Sequence, residues 1–223
     1  MNPTVRPLWL DWNLGLGDSV ICNGLVRYLS NVEPRRKIVL PCWERNLPTV
    51  RHMFSDLVNV HVVAATDDTV AHSRTYEILS IGLHNQNWGR IAQWDEAFYR
   101  FADVPFGAKW DMFHVPESGT EIKAPPYGSC YALCHDDSLR GFSMRKGITD
   151  MEVVRITDKT ELLTDWRCLI QHAAEIHVID SAPMHLVELL PTTGKLFYHK
   201  YARAQGSRQH MDAVLRKEWT VLE

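Results

Sequence analysis

A strand, a tight turn and a helix in direct succession constrain this chain more than any other stretch. The apolar run Ile176–Ile179 predicts a buried strand. Ser181 is a favourable residue immediately before a helix, and Pro183 is tolerated in a first helical turn. The apolar spacing that follows predicts a compact helix that stops before Pro191. A unit of this kind is typical of α/β proteins.

The start of this helix is a candidate anion site. Unpaired N–H groups and the helix dipole both favour negative charge at a helix N-terminus. His185, one turn into the helix, can add a proton donor at the same place. A diphosphate is therefore the expected ligand. The alternative is an ordinary strand–turn–helix unit whose first-turn histidine lies on the surface, and the spacing alone leaves both readings open.

Residues 180–186 read Asp-Ser-Ala-Pro-Met-His-Leu. This segment resembles the Asp-Ser/Thr-Gly-Pro-Met-His-Leu signature of the heptosyltransferase-like (family 9-like) glycosyltransferases. In that family the segment lies in the C-terminal half of a GT-B fold and holds the diphosphate of a nucleotide sugar. The resemblance implies these donor-binding residues: Asp180, Ser181, Ala182, Met184 and His185. Ala182 stands where the family usually has glycine, which narrows the approach of the backbone to the donor.

A second strand–turn–helix unit lies near the N-terminus. Residues 7–12 predict a strand, a glycine turn follows, and residues 19–30 have the apolar spacing of one helix. A dinucleotide-binding turn needs the pattern Gly-x-Gly-x-x-Gly. Because Val20 stands at the position of the third glycine, NAD binding is disfavoured.

The same turn, Gly15-Leu16-Gly17-Asp18, resembles the Gly-x-Gly-Asp loop near the N-terminus of the heptosyltransferase-like family. In that family the loop faces the cleft between the domains, and its aspartate is implicated as the base that activates the acceptor hydroxyl. The resemblance implies that Asp18 is the catalytic base and that Gly15, Leu16 and Gly17 form the cleft loop. The alternative is that Asp18 only caps its helix.

The loop from His135 to Gly147 is the most charged place in the second half of the chain. It follows a predicted strand, and ligands of open α/β sheets lie at the carboxyl ends of strands. Arg140, Arg145 and Lys146 are candidates to neutralise a diphosphate leaving group. The alternative is a solvated loop in which these cations pair with the acidic residues of the same loop.

Three further expectations concern the second half. Thr157 begins a turn that would flank the nucleoside, ahead of a predicted helix from Leu162 to Ala173. Glu188 is placed either to meet a ribose hydroxyl or simply on the surface of its helix. Residues 211–219 predict a closing helix.

Composition excludes some classes of function. The 223 residues carry a formal net charge of -3, which gives no electrostatic footprint of nonspecific nucleic-acid binding. No signal pattern and no run long enough to span a bilayer occurs, so we expect a cytoplasmic protein. The five cysteines lack the paired spacing of a zinc site, and we expect no bound metal.

Together the two motifs predict an α/β fold with two small Rossmann-like domains in a compact GT-B arrangement with a cleft between them. Residues 1–118 would form the acceptor side and residues 119–223 the nucleotide-sugar side, with a linker near 117–126. The implied activity is metal-independent transfer of a hexosyl or heptosyl group. The nucleotide-diphosphate sugar is a co-substrate, and no cofactor is expected. The acceptor is a glycan, a small molecule or a modified nucleic-acid base. The alternative is a catalytically inactive nucleotide-binding or scaffold protein.

Overall fold

The chain forms two compact units. The structure, a computed structural model, describes residues 6–66, 75–83, 85, 93–123, 130–156, 162–203 and 213–223. The first unit contains the described residues up to Pro116 together with Ala213 and Val214. The second contains those from Glu117 to Arg203 and from Leu215 onward. The chain therefore returns to the first unit for a short segment before its final strand.

The first unit is built on a parallel sheet of four strands in the order β3-β2-β1-β4. The strands are β1 (Leu8–Asp11), β2 (Ile38–Cys42), β3 (Val60–Ala64) and β4 (Glu77–Ser80). Every residue of the inner strand β2 is buried, as expected for a parallel strand covered on both faces. The strand order reverses between β1 and β4, so this is where ligands of such sheets bind.

Within the described residues of this unit, five helices accompany the sheet. They are α1 (Leu16–Ile21), α2 (Asn23–Val32), α3 (Leu47–Met53), α4 (Trp94–Phe101) and α5 (Ala108–Asp111). The single helix predicted over residues 19–30 is wrong, because the helix is interrupted at the fully buried Cys22. Glycine is needed at Gly24, where a Cβ atom would lie 2.0 Å from the Ala108 carbonyl oxygen. The absence of a side chain there lets α2 and α5 pack closely.

The second unit is built on a parallel sheet of five strands in the order β6-β5-β7-β8-β9. The strands are β5 (Tyr131–His135), β6 (Glu152–Arg155), β7 (Glu175–Val178), β8 (Lys195–His199) and β9 (Trp219–Leu222). Its helices are α6 (Arg167–His172) and α7 (Ala182–Leu189). The order reverses between β5 and β7, which makes the carboxyl ends of these two strands the expected ligand position. The predicted α/β class with Rossmann-like parallel sheets is confirmed.

Two predicted helices of the second half differ from the structure. The closing helix is wrong: described residues 213–218 are not helical, and β9 pairs in parallel with β8. The apolar spacing was misleading because Leu215 and Trp219 lie one helical turn apart, whereas Trp219 and Val221 share one face of the edge strand β9. The helix predicted from Leu162 is a 3-10 turn (Leu163–Trp166) followed by the short α6.

Helix length also bears on membranes. Across the part of the chain that the structure describes, every helix is too short or too polar to cross a bilayer.

Candidate functional site

Two loops meet at the carboxyl ends of β5 and β7. A buried apolar cluster joins them: Met144 of the loop after β5 packs with Ala132, Cys134 and Ile179, the last of which follows β7. Phe142 packs against the same cluster. The basic loop and the Asp-Ser-Ala-Pro segment are therefore held side by side at the point where the strand order reverses.

The start of α7 presents backbone donors. Ser181 is the residue before the helix, as predicted, but its hydroxyl donates to the Ile179 carbonyl oxygen at 2.9 Å. Among the described residues, no side chain caps the first amides of α7. Since Pro183 has no N–H, the amides of Ala182 and Met184 are the first-turn donors without a helical partner. Donors of this kind bind an oxyanion well.

Met184 and His185 lie inside the unit. His185 is 3% exposed, so the alternative of a surface histidine is wrong. Its Nε2 atom is 3.9 Å from the Asp180 carboxylate, which is partly exposed. Met184 is buried and contributes packing together with its backbone amide. The partly exposed Asp180 carboxylate is thus the group of this segment that lies next to the buried histidine.

Arg203 belongs to this site although the sequence motifs do not include it. It lies in the 3-10 turn Lys200–Arg203 that follows β8. Its Nη1 atom donates to the Asp180 carbonyl oxygen and lies 3.7 Å from the Asp180 carboxylate. Its guanidinium is also 5.4 Å from the ring centroid of Phe142. The only sequence signal was the basic composition of the stretch after β8.

The cations of the basic loop have different environments. Arg140 pairs with Asp137, so for this residue the alternative of pairing within the loop holds. Burial tends to raise the pKa of Asp137, but the hydrogen bonds and charge of Arg140 outweigh it and the pKa is lowered. The Arg145 guanidinium lies 4.1 Å from the ring centroid of Tyr201. Lys146 is exposed. Thr157, the predicted nucleoside contact, lies outside the described residues.

Glu188 has a structural role, and both predicted roles are wrong. It is 2% exposed and accepts hydrogen bonds from the Arg216 amide at 2.7 Å and from Trp219 Nε1 at 2.8 Å. Nearby, the Lys217 ammonium donates to the carbonyl oxygens of Val187 and Leu190. A cation there stabilises a helix C-terminus, and burial lowers the pKa of Lys217 to about 8. The final segment of the chain therefore fixes the far end of α7.

In the first unit, the Gly15–Asp18 turn lies at the carboxyl end of β1. Gly15 is the residue before α1 and Asp18 lies in the first turn, so Asp18 is not the N-cap. A Cβ atom at Gly15 would be 2.4 Å from Asp18 Oδ2, which places the carboxylate against the glycine. Asn13 Nδ2 lies 3.4 Å from Asp18 Oδ1, while Asn13 Oδ1 accepts from the Leu83 amide at 2.9 Å. Asn13 therefore links the loops after β1 and β4. Leu16 and Gly17 are the first residues of α1.

A chain of hydrogen bonds runs along β7 and β8 toward the basic loop. His177 Nε2 lies 3.3 Å from a Glu175 carboxylate oxygen, and His177 Nδ1 lies 3.0 Å from His199 Nε2. His199 Nδ1 is 2.9 Å from the Tyr201 hydroxyl. That hydroxyl accepts from the Arg145 amide at 2.9 Å. Both histidines are buried. No local sequence pattern indicated these hydrogen bonds.

We expect the buried histidines to make stability depend on pH. Burial, together with the charges of His177 and Arg145, lowers the pKa of His199 from 6.5 to about 4. Burial also lowers the pKa of His177, although Glu175 opposes this. The unfolded chain binds protons first, so stability falls as the pH drops from ~6.5 to ~4, by about 3 kcal/mol for His199 alone.

Urea unfolding at a series of pH values measures this loss. The variant His199→Gln removes the titrating group and is expected to flatten the dependence. The control His172→Gln, which removes an exposed histidine, should keep the wild-type slope. Equal slopes in all three proteins would contradict the assignment.

Among the described residues, no three His, Cys, Asp or Glu side chains are grouped to hold a metal ion.

Known structures share this fold. No family model and no curated protein matches the sequence. The bacterial iron-containing dodecameric glycosyltransferase TibC from enterotoxigenic E. coli H10407 matches with a TM-score of 0.57 and 11% identity, over 89% of this chain and 60% of TibC. The heptosyltransferase TibC in complex with ADP-D-beta-D-heptose matches with a TM-score of 0.57 and 10% identity, over 87% of this chain and 59% of TibC.

A third structure, a family 9 glycosyl transferase from Veillonella parvula DSM 2008, has a TM-score of 0.48 and 11% identity, over 88% of this chain and 82% of its own. The chain spans about 60% of the length of TibC. At these identities the similarity establishes the fold alone. The chain has the α/β fold of the heptosyltransferase TibC, as the resemblance of its two motifs predicted.

Proposed function

We propose that this chain is a glycosyltransferase that uses a nucleotide-diphosphate sugar. The observation that carries the proposal is the start of α7, where uncapped amides lie beside a basic loop at the strand-order reversal of the second sheet. Uncapped amides and nearby cations favour a diphosphate. The fold shared with TibC, one of whose structures contains ADP-D-beta-D-heptose, supports the same class of donor.

In this proposal the second half, residues 119–223, binds the donor. The amides of Ala182 and Met184 contact a phosphate oxygen. Ser181 and Asp180 lie next to this phosphate position. The buried His185 acts indirectly, by orienting the Asp180 carboxylate. The flanking cations stabilise the negative charge that develops on the departing diphosphate. They are Arg140, Arg145 and Lys146, with Arg203 added from the structure, and Thr157 flanks the nucleoside.

The first half, residues 1–118, would bind the acceptor next to the Gly15–Gly17 turn. Asp18 accepts the proton of the acceptor hydroxyl as that oxygen attacks the anomeric carbon. Neutralisation of the leaving group by side chains and amides makes a metal ion unnecessary for this reaction. The transferred sugar is a hexose or heptose, and the acceptor is a glycan, a small molecule or a modified nucleic-acid base.

A thermal-shift screen against UDP, GDP, ADP, CMP, NAD and the common sugar conjugates tests the proposal. We expect selective stabilisation by one nucleoside diphosphate, with ADP tried first, of about 2.7 kcal/mol at a hundredfold excess over Kd. The variant Ala182→Pro removes one amide donor at a position where proline is tolerated, and should weaken that binding about tenfold. Stabilisation by NAD alone would overturn the proposal.

One observation favours an alternative, an inactive nucleotide-binding or scaffold protein. The Asp18 carboxylate lies against Gly15 at the start of its own helix, where it also interacts favourably with the helix dipole. This alternative predicts that the donor nucleotide binds and is neither transferred nor hydrolysed. Release of nucleoside diphosphate from the bound donor separates the two functions.

A further inference from the structure

We propose that Tyr201 is a positioning residue for Arg145, and that His199 and His177 orient the Tyr201 hydroxyl for this purpose. Arg145 is thereby held where it can bind the donor diphosphate. The inference rests on the proposed function, because it concerns the basic loop of that site.

Tyr201 contacts Arg145 in two ways. Its hydroxyl accepts a hydrogen bond from the Arg145 backbone amide at 2.9 Å. The Arg145 guanidinium lies 4.1 Å from the centroid of the tyrosine ring, a cation–π distance. Arg145 is otherwise exposed. A single side chain thus fixes both the backbone and the charged end of an arginine that would otherwise be free to move.

All the hydrogen bonds between Tyr201 and Glu175 run in one direction, with each group donating to the next. Because the Glu175 carboxylate can only accept, neutral His177 carries its proton on Nε2 and its Nδ1 accepts. His199 Nδ1 is then the acceptor for the one proton of the Tyr201 hydroxyl. Neutral His199 then carries its proton on Nε2 and donates to His177 Nδ1. His177 in turn donates from Nε2 to Glu175. Every donor in this series has an acceptor, and both histidines are assigned to the Nε2–H tautomer.

The far end of this hydrogen-bond chain is anchored just beyond the basic loop, in the same connection between β5 and β6. The Glu175 carboxylate also accepts from the Thr149 hydroxyl at 2.8 Å, and Thr149 follows Arg145 by four residues. His177 is stacked on Phe197 with 4.4 Å between ring centroids and an interplanar angle of 3°. The connection between β5 and β6 is therefore tied to two partly buried side chains, Tyr201 and Glu175, one on each side of Gly147.

The position of Tyr201 also couples the two halves of the donor site. The 3-10 turn that carries it contains Arg203, which donates to the Asp180 carbonyl oxygen. Tyr201 thus holds the basic loop while Arg203, two residues later, holds the segment that begins α7. A shift of this turn would change the spacing between the loop cations and the α7 amides.

The variant Tyr201→Phe tests the inference, since it keeps the ring and deletes the hydroxyl. In the wild type we expect slow hydrogen exchange at the Arg145 amide and ¹⁵N shifts of Nε2–H tautomers for both histidines. In Tyr201→Phe the Arg145 amide should lose its protection. The Kd for ADP, and for pyrophosphate as a nucleobase-free probe, should rise about five- to tenfold, the usual effect of one lost hydrogen bond.

The matched control is Tyr131→Phe. It deletes a buried hydroxyl of the same unit, which donates to the Leu169 carbonyl oxygen at 2.8 Å. This control should leave Arg145 protection and ADP binding unchanged, which separates positioning from a general loss of stability. The variant Arg145→Gln should weaken ADP binding, and adding Tyr201→Phe to it should weaken binding no further.

The outcomes distinguish the two proposals. Retained Arg145 protection in Tyr201→Phe, unchanged ADP affinity, or additive effects in the double variant would each overturn the positioning role. A wild-type protein that binds neither ADP nor pyrophosphate overturns the donor site itself. That failure is recognisable because the exchange and tautomer measurements need no ligand.

Discussion

The variant Asp95→Ala is expected to lower the free energy of unfolding by about 3–5 kcal/mol, the typical cost of breaking a buried ion pair. Asp95 is 0% and Lys109 1% exposed, and their carboxylate and ammonium are 2.6 Å apart. Removal of the carboxylate leaves a buried ammonium without its counter-ion. The change also removes the acceptor of the Val214 amide, 3.0 Å from Asp95 Oδ2.

Urea unfolding at neutral pH gives the size of this loss. The control Glu33→Ala breaks a partly exposed ion pair with Arg36 and should cost less than about 1 kcal/mol. The double variant Asp95→Leu, Lys109→Met should recover much of the stability, because replacing both charges by apolar groups of similar volume removes the cost of burying them. A loss in Asp95→Ala as small as that in Glu33→Ala would show that the ammonium readily reaches water.

The second large effect concerns turnover. The variant Asp18→Asn is expected to reduce sugar transfer by about 10²–10⁴-fold, the usual contribution of a general base. The amide keeps the shape of the carboxylate and cannot accept the acceptor proton. Because the proposed role of Asp18 concerns the acceptor proton and not the proposed donor site, the Kd for the donor nucleotide should stay within about twofold of the wild type. Release of nucleoside diphosphate at saturating donor measures the effect.

Asp11→Asn is the informative comparison for Asp18. Both carboxylates lie near the carboxyl end of β1, but Asp11 accepts a hydrogen bond from the Ser80 hydroxyl at 2.8 Å. If Asp11→Asn loses turnover and Asp18→Asn does not, the base is Asp11. If neither variant differs from an active wild type, neither carboxylate is the base.

The strand–turn–helix at residues 176–189 was predictable because its determinants are local. An apolar run, a residue suited to precede a helix and a proline in the first turn lie within a few positions of one another. Sequence spacing also identified the position of Ser181. It did not identify the partner of the Ser181 hydroxyl, which depends on how the backbone leaves β7.

Other parts of the site depend on pairings between distant residues. Arg203 contacts Asp180 across 23 positions, and His177 contacts His199 across 22. Such contacts follow from the parallel pairing of β7 with β8, which no local pattern specifies. The misassigned Glu188 is a related case. Its burial results from the final segment and β9, which the spacing of apolar residues had indicated to be a helix.

The return of the chain to the first unit has a consequence for synthesis. Lys109 donates to the Val214 carbonyl oxygen, 105 residues further along. A nascent chain that already contains the four strands of the first sheet therefore still lacks the backbone partner of the buried Asp95–Lys109 ion pair. The second unit likewise lacks its edge strand until β9 is synthesised, only a few residues after Val214. Although domains generally fold one after another from the N-terminus during translation, here Val214 of the first unit and β9 of the second are synthesised almost together.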